Sequence, residues 1–156
     1  MYTYENLPEA DNLNRFSYSI LVKKQMFIQK GKMIAYYGNL RFEAVGKNLL
    51  EFYVQQAFDA PFDLEHFVIV KGAGKLILAD NSKDVASYDL EDAHLTIKRA
   101  HVLGFEETLT CQESTFPGYL TFHGTGQLIA SSNGPVHFLP SPVRAGLFHS
   151  KIFPAP

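Results

Sequence analysis

The chain has 156 residues, 46% hydrophobic and 19% charged, with a formal net charge of −2, an ordinary globular composition long enough to bury its own core. Its lone cysteine, Cys111, excludes an intramolecular disulfide and a cysteine-built zinc cage. No apolar run reaches the roughly 20 residues that a membrane-spanning helix needs, and the acidic opening MYTYENLPEAD lacks the pattern of a secretory signal, so a cytoplasmic setting is expected.

Thirteen Phe and eight Tyr without a single Trp favour strands. Strand-like runs cover 16–22, 25–29, 33–37 and 40–45, the last two split by Gly38-Asn39, a pair that tolerates positive φ and reads as a tight hairpin turn. Runs at 67–70 and 75–79 flank a Gly-x-Gly. Ala86, Tyr88 and Leu90 share one face, Glu91-Asp92 reads as a turn, and Leu95 and Ile97 share the next face. Further runs follow at 101–105, 108–112, 119–123, 127–131 and 135–139. This density of short strands predicts an all-β sandwich or barrel.

One segment breaks the pattern. In 48–58, Leu50, Tyr53, Val54 and Ala57 recur at helical spacing, Asn48 and Glu51 form a capping signal, and Pro61 bars continuation. A short helix covering an open end of the strands is expected. The last 17 residues carry four prolines, which predicts an extended arm over 140–156.

The charges are unevenly placed. Residues 15–47 sum to +6 and residues 48–113 to −7. These segments are either solvated strand faces, complementary surfaces between subunits, or a basic face for an anion.

KGAGKLILA (71–79) and HGTGQLIAS (123–131) repeat Gly-x-Gly-x-Leu-Ile at an offset of 52 residues, and KMIAY (32–36) resembles HVLGF (101–105) at an offset of 69. The chain therefore reads as one domain over 1–156, made of two tandem β units, about 16–90 and 91–139, with the helix inserted in the first. Strand residues, not a helix, follow both glycine pairs, so Gly72, Gly74, Gly124 and Gly126 are expected to serve backbone geometry rather than a phosphate.

GKMIAYYGNLRF (31–42), VKGAGKLILAD (70–80), HVLGFEETL (101–109) and LTFHGTGQLIA (120–130), in that order, resemble the family named for altered inheritance of mitochondria, protein twenty-four. The likeness spans about residues 16–139. It implies a TRAP-like fold, two tandem short double-stranded β-helix repeats, and assembly into symmetric rings. The family has no established enzymatic activity that the resemblance could carry over.

Chemistry-bearing residues are sparse. Among the six histidines, His101, His123 and His137, with Glu106 or Glu107, are the candidates for a cupin-like metal site, although the His-x-His of such barrels is absent. Cys111 alternates as a core residue would. Asp80-Asn81-Ser82-Lys83-Asp84 resembles half of a calcium loop but reads as a turn. Lys30, Lys32, Tyr36, Tyr37 and Arg41 are the one basic and aromatic cluster that could meet an anion or single-stranded RNA. The leading expectation is a non-enzymatic homo-oligomer, ring-like or trimeric, acting as scaffold or regulatory partner without a cofactor. The alternatives are a small-ligand or RNA-binding module and a metal-dependent enzyme.

Overall fold

The structure is a computed structural model that describes residues 1–45, 66–140 and 150–154, with side chains described over 1–45 and 66–136. The helix expected at 48–58 lies outside the described residues. The protein is all-β: β1 (Ala10–Asn14), β2 (Ser17–Val22), β3 (Gln25–Gln29), β4 (Met33–Ala44), β5 (Phe67–Ala79), β6 (Asp84–Lys98), β7 (Val102–Glu106), β8 (Leu109–Glu113), β9 (Tyr119–Ser132), β10 (Val136–Pro140) and β11 (Ser150–Pro154). One 3-10 turn, Arg99–His101, precedes β7. All pairings are antiparallel, and β11, within the expected arm, pairs with β10.

Two expected turns, Gly38-Asn39 and Glu91-Asp92, are instead bends inside long strands, and the two Gly-x-Gly segments are bends of the same kind. Gly38-Asn39 sits within β4, the two Gly-x-Gly segments within β5 and β9, and Glu91-Asp92 within β6. Gly38, Gly72 and Gly124 take φ of +100°, +116° and +122°, and Asp92 takes +48° at a register shift opposite Gly124 and Gly126. Positive φ turns a strand as readily as it ends one, so the same residues satisfy both readings. A tight turn does join β5 to β6, although the two strands do not pair with each other. Asn81 and Ser82 both have positive φ, and the Lys83 amide donates to the Asp80 carbonyl at 2.9 Å, the geometry of a type I′ turn.

The bends create three layers. The central sheet runs from the second half of β4 through the first half of β5, then β3, β7, the second half of β9 and the first half of β6. Beyond its bend, β5 continues with β2 and the first half of β4 as one flap. Before its bend, β9 forms a second flap with β8 and the far half of β6. Alternate residues of the central strands enter two separate cores. Met26, Ile28, Val70 and Ile129 pack with Tyr18, Ile20, Leu76 and Leu78 of the first flap. Phe27, Ile69, Phe105 and Leu128 pack with Leu109, Cys111, Leu120 and Phe122 of the second. The unbroken apolar run Met26-Phe27-Ile28 follows from this, because both faces of β3 are covered. Phe105 is the hub of the second core, 5.0 Å from the Phe27 ring and 4.9 Å from that of Phe122. Each fully buried ring contributes about 1.5–3 kcal/mol relative to exposure.

β5 and β9 match in glycine placement and bend and differ in length by one residue, 13 against 14. Their partners match differently from the sequence expectation. Gly74 faces Gly38 of β4, whereas Gly126 faces Leu90 of β6. By pairing, then, β4 corresponds to β6, not to 100–111, and the broken edge β2–β3 corresponds to β7–β8. The likeness of KMIAY to HVLGF reflects shared strand composition rather than shared position. The expected boundary at 90/91 falls inside β6.

The N-terminal residues are tied down by a buried lysine. Lys75, 5% exposed, donates from Nζ to the carbonyls of Tyr4 (2.6 Å) and Leu7 (2.8 Å), and lies 4.9 Å from the centre of the Tyr4 ring. With no carboxylate in that contact among the described residues, two carbonyl dipoles and a ring face solvate the ammonium.

Candidate functional site

β4 is the most exposed strand of the sheet. Ile34, Tyr36, Tyr37 and Phe42 lie on the surface, and among the described residues β4 pairs with β5 alone. Consecutive strand residues point to opposite faces, so the expected basic and aromatic cluster is divided. Tyr36 makes an edge contact with Phe42 (5.0 Å) and Tyr37 one with Tyr4 (6.3 Å). The Lys32 ammonium is held by Asp80 at 2.7 Å, while Lys30 and Arg41 are exposed. The five residues form no common stacking groove.

Asp80, passed over in the sequence as a turn residue, is the centre of a buried polar cluster. It is 2% exposed, accepts from Lys32 Nζ (2.7 Å) and Ser131 Oγ (2.6 Å), and has Lys83 at 3.7 Å. Burial pushes its carboxyl upward, but the hydrogen bonds from Lys32 and Ser131, with the charges of Lys32 and Lys83, prevail and hold it below its ordinary value. His101 approaches the far side of Ser131, with Nδ1 at 3.4 Å from Oγ. Desolvation, then Lys83 and Lys98, push the His101 imidazole below its usual value. The order is carboxylate, hydroxyl, imidazole. The Ser131 proton is committed to Asp80, whereas a nucleophilic triad needs the imidazole to take it. The cluster ties the β3–β4 and β5–β6 turns to the end of β9.

The histidines expected to share a metal are apart. His101 lies beside Ser131. His123, eight residues away along β9 and beyond the bend, pairs with His94 and Thr110. The side chain of His137 lies outside the described residues. Among the described residues, no three His, Cys, Asp or Glu gather around a common point. Cys111 is fully buried, and burial pushes its thiol well up, which leaves it protonated and unreactive.

A cleft of about 510 Å3 opens between β1–β2 and the β6–β9 side of the central sheet. The side chain of Gln127 forms its floor, donating from Nε2 to the Tyr18 hydroxyl (2.7 Å) and to Ser87 Oγ (2.5 Å). The Gln127 backbone amide donates to Glu106 Oε1 at 2.7 Å. Desolvation pushes the Tyr18 phenol above its usual value, so it stays a neutral hydroxyl. Glu9, Asp89 and Glu91 line the mouth against Lys23 alone. These residues come from five strands or their ends, and no spacing in the sequence links them.

Around the four glycines of the opening motif the backbone approaches closely. A Cβ at Gly72 would strike the Asn39 carbonyl oxygen, one at Gly74 that of Tyr37, and one at Gly126 the Thr108 hydroxyl, while Gly124 has the Thr108 carbonyl at 3.2 Å. Among the described residues, no helix is long and apolar enough to cross a membrane.

No family model and no curated protein matches the chain. The X-ray crystal structure of protein SPYM3_0169 from Streptococcus pyogenes is similar over 85% of this chain and 67% of that one, with a TM-score of 0.59 and 17% sequence identity. At that identity the likeness concerns the fold alone.

Proposed function

We propose that the chain is a non-enzymatic, self-associating β protein of the cytoplasm, a scaffold or regulatory partner in which the β4 edge of one copy meets the β6 edge of the next. The observation that carries this reading is the exposed apolar side chains Ile34, Tyr36, Tyr37 and Phe42, spread over both faces of a twelve-residue strand that pairs, among the described residues, with β5 alone. A long, apolar, uncovered edge is a template for another strand. β4 and β6 end the sheet on opposite sides. Arg41 and Lys30 are exposed at or beside one, and Asp89, Glu91 and Asp92 on the other, so the two edges are complementary in charge. Joining unlike edges is a head-to-tail contact, which closes into a ring when the rotation permits. The resemblance to the altered-inheritance family, with its ring-forming TRAP-like repeats, supports the same reading. Light scattering tests it. The native chain is expected to run as a discrete oligomer, and the double variant I34K/Y36K as a folded monomer. A native chain that stays monomeric at high concentration overturns the proposal.

The cleft favours a second reading, a binding module for a small polar ligand. Its mixture of apolar wall and convergent hydroxyl and amide groups is the usual make-up of such sites. A ligand screen by thermal shift checks it. Hits are expected to disappear in Q127A, and hits that persist there place binding elsewhere.

A further inference from the structure

The outward face of the second flap carries two histidines side by side. Leu95 and Ile97 pack inward against the core, and Leu120 and Phe122 are buried. Strand alternation therefore turns His94 and Thr96 of β6, and Thr121 and His123 of β9, outward. His94 and His123 are direct cross-strand partners. Their rings lie 4.2 Å apart between centroids, inclined by 27°, and both residues are exposed. The backbone beneath them is fixed on both sides. Thr110 of β8 donates its hydroxyl to the His123 carbonyl at 3.1 Å, and the next row is closed by Thr96 and Thr121, whose hydroxyls are 2.8 Å apart. Among the described residues neither ring meets a carboxylate.

We propose that His94 and His123 form a two-imidazole chelate for a borderline divalent transition ion, Cu2+ above Ni2+ or Zn2+. Imidazole nitrogen suits these ions, and Cu2+ leads their affinity order at such ligands. Bonds of about 2.0–2.1 Å place two donor atoms on one ion roughly 3 Å apart. Rings already facing each other reach that spacing by turning about χ2, a soft torsion for histidine. The strands supply the preorganisation, since neither Cα has to move. With no third His, Cys, Asp or Glu gathered there among the described residues, the remaining positions of the ion are left for water or an incoming ligand. This site is distinct from the one expected in the sequence, since His101 lies beyond the bend.

The test is calorimetric titration of the untagged full chain with CuCl2, NiCl2 and ZnSO4 at neutral pH. One ion per chain is expected at this pair, with Cu2+ tightest. Acidification should release the ion, because the ligating imidazoles must be deprotonated. H94A and H123A should each weaken binding by roughly tenfold or more, the least that losses around such ligands usually cost. H101A should titrate like the native chain. Both positions are exposed, so circular dichroism of H94A, H123A and the milder H94Q should match the native spectrum. Absence of binding by all three ions overturns the proposal, as does native-like affinity in both single variants or loss of the site in H101A.

Discussion

Gly72 and Gly124 hold the same left-handed backbone conformation, φ +116° and +122°, at the bends of β5 and β9. The surroundings differ. A Cβ at Gly72 collides with the Asn39 backbone oxygen of β4, whereas at Gly124 the nearest atom is 3.2 Å away. Alanine at a positive-φ site costs more than the roughly 0.4–1 kcal/mol it returns by restricting the unfolded chain. G72A and G124A should therefore both lower the urea midpoint, G72A by more. Between the other two, G74A meets a backbone oxygen and G126A a threonine side chain that can rotate away, so G126A should be the milder. Native midpoints in G72A and G124A would contradict the corner role.

These corners also mark the limit of what the sequence makes legible. Its glycines, Asn39 and the Glu91-Asp92 pair correctly locate where the backbone departs from a straight strand, and the strand composition correctly implies an all-β fold. Whether the chain reverses or merely bends there depends on the partner strand, because only β5 beside β4 keeps pairing across Gly38. The run Met26-Phe27-Ile28 likewise signals a strand covered on both faces but does not say by what. Asp80 looks like any turn aspartate until Ser131, 51 residues away, closes over it. Cleft residues such as Tyr18 and Gln127, 109 residues apart, carry no motif at all.

Stability should fall with acidification in two windows. The folded chain holds His101 below its ordinary value, so its contribution is complete above the unfolded imidazole pKa of about 6.5 and declines as pH falls below it. Asp80 is also held below its ordinary value, so its contribution is present above about 3.9 and is lost as pH falls further, through the folded value. H101Q should flatten the first window and D80N the second. D80N also strips the partner from Lys32 at a buried site, at a cost of about 3 kcal/mol near neutrality. Urea midpoints measured across pH would show this, and a D80N profile parallel to the native one below pH 4 would contradict it.

Lys75 should govern the order of the N-terminal residues. Met at this position fills the same volume but cannot donate to the Tyr4 and Leu7 carbonyls. Hydrogen bonds to charged groups are worth about 1.5–3 kcal/mol each, and here they hold a segment with few other anchors. In K75M, amide exchange over residues 3–7 should quicken, and protease should cut there first, while the core strands stay protected. Unchanged exchange at Leu7 would mean that packing of its buried side chain alone holds the segment.

Gln127 should couple the first flap to the central sheet. Its amide reaches the Tyr18 hydroxyl of β2 and Ser87 of β6, while its backbone N–H is held by Glu106 of β7. Removing the Tyr18 hydroxyl leaves one amide hydrogen facing a part-buried ring, and removing the amide leaves the hydroxyl with Ser87 in place of two partners. Each loss should cost about 1–3 kcal/mol. The two variants remove the same bond, so their costs should not add. A double-mutant cycle of Y18F and Q127A is expected to give a coupling energy of about 0.5–3 kcal/mol, whereas Y18F with the remote H94A should give none. Additive costs for Y18F and Q127A would mean that the flap is held by the apolar contacts of Tyr18, Ile20 and Leu76 alone, with the cleft floor contributing nothing to its closure.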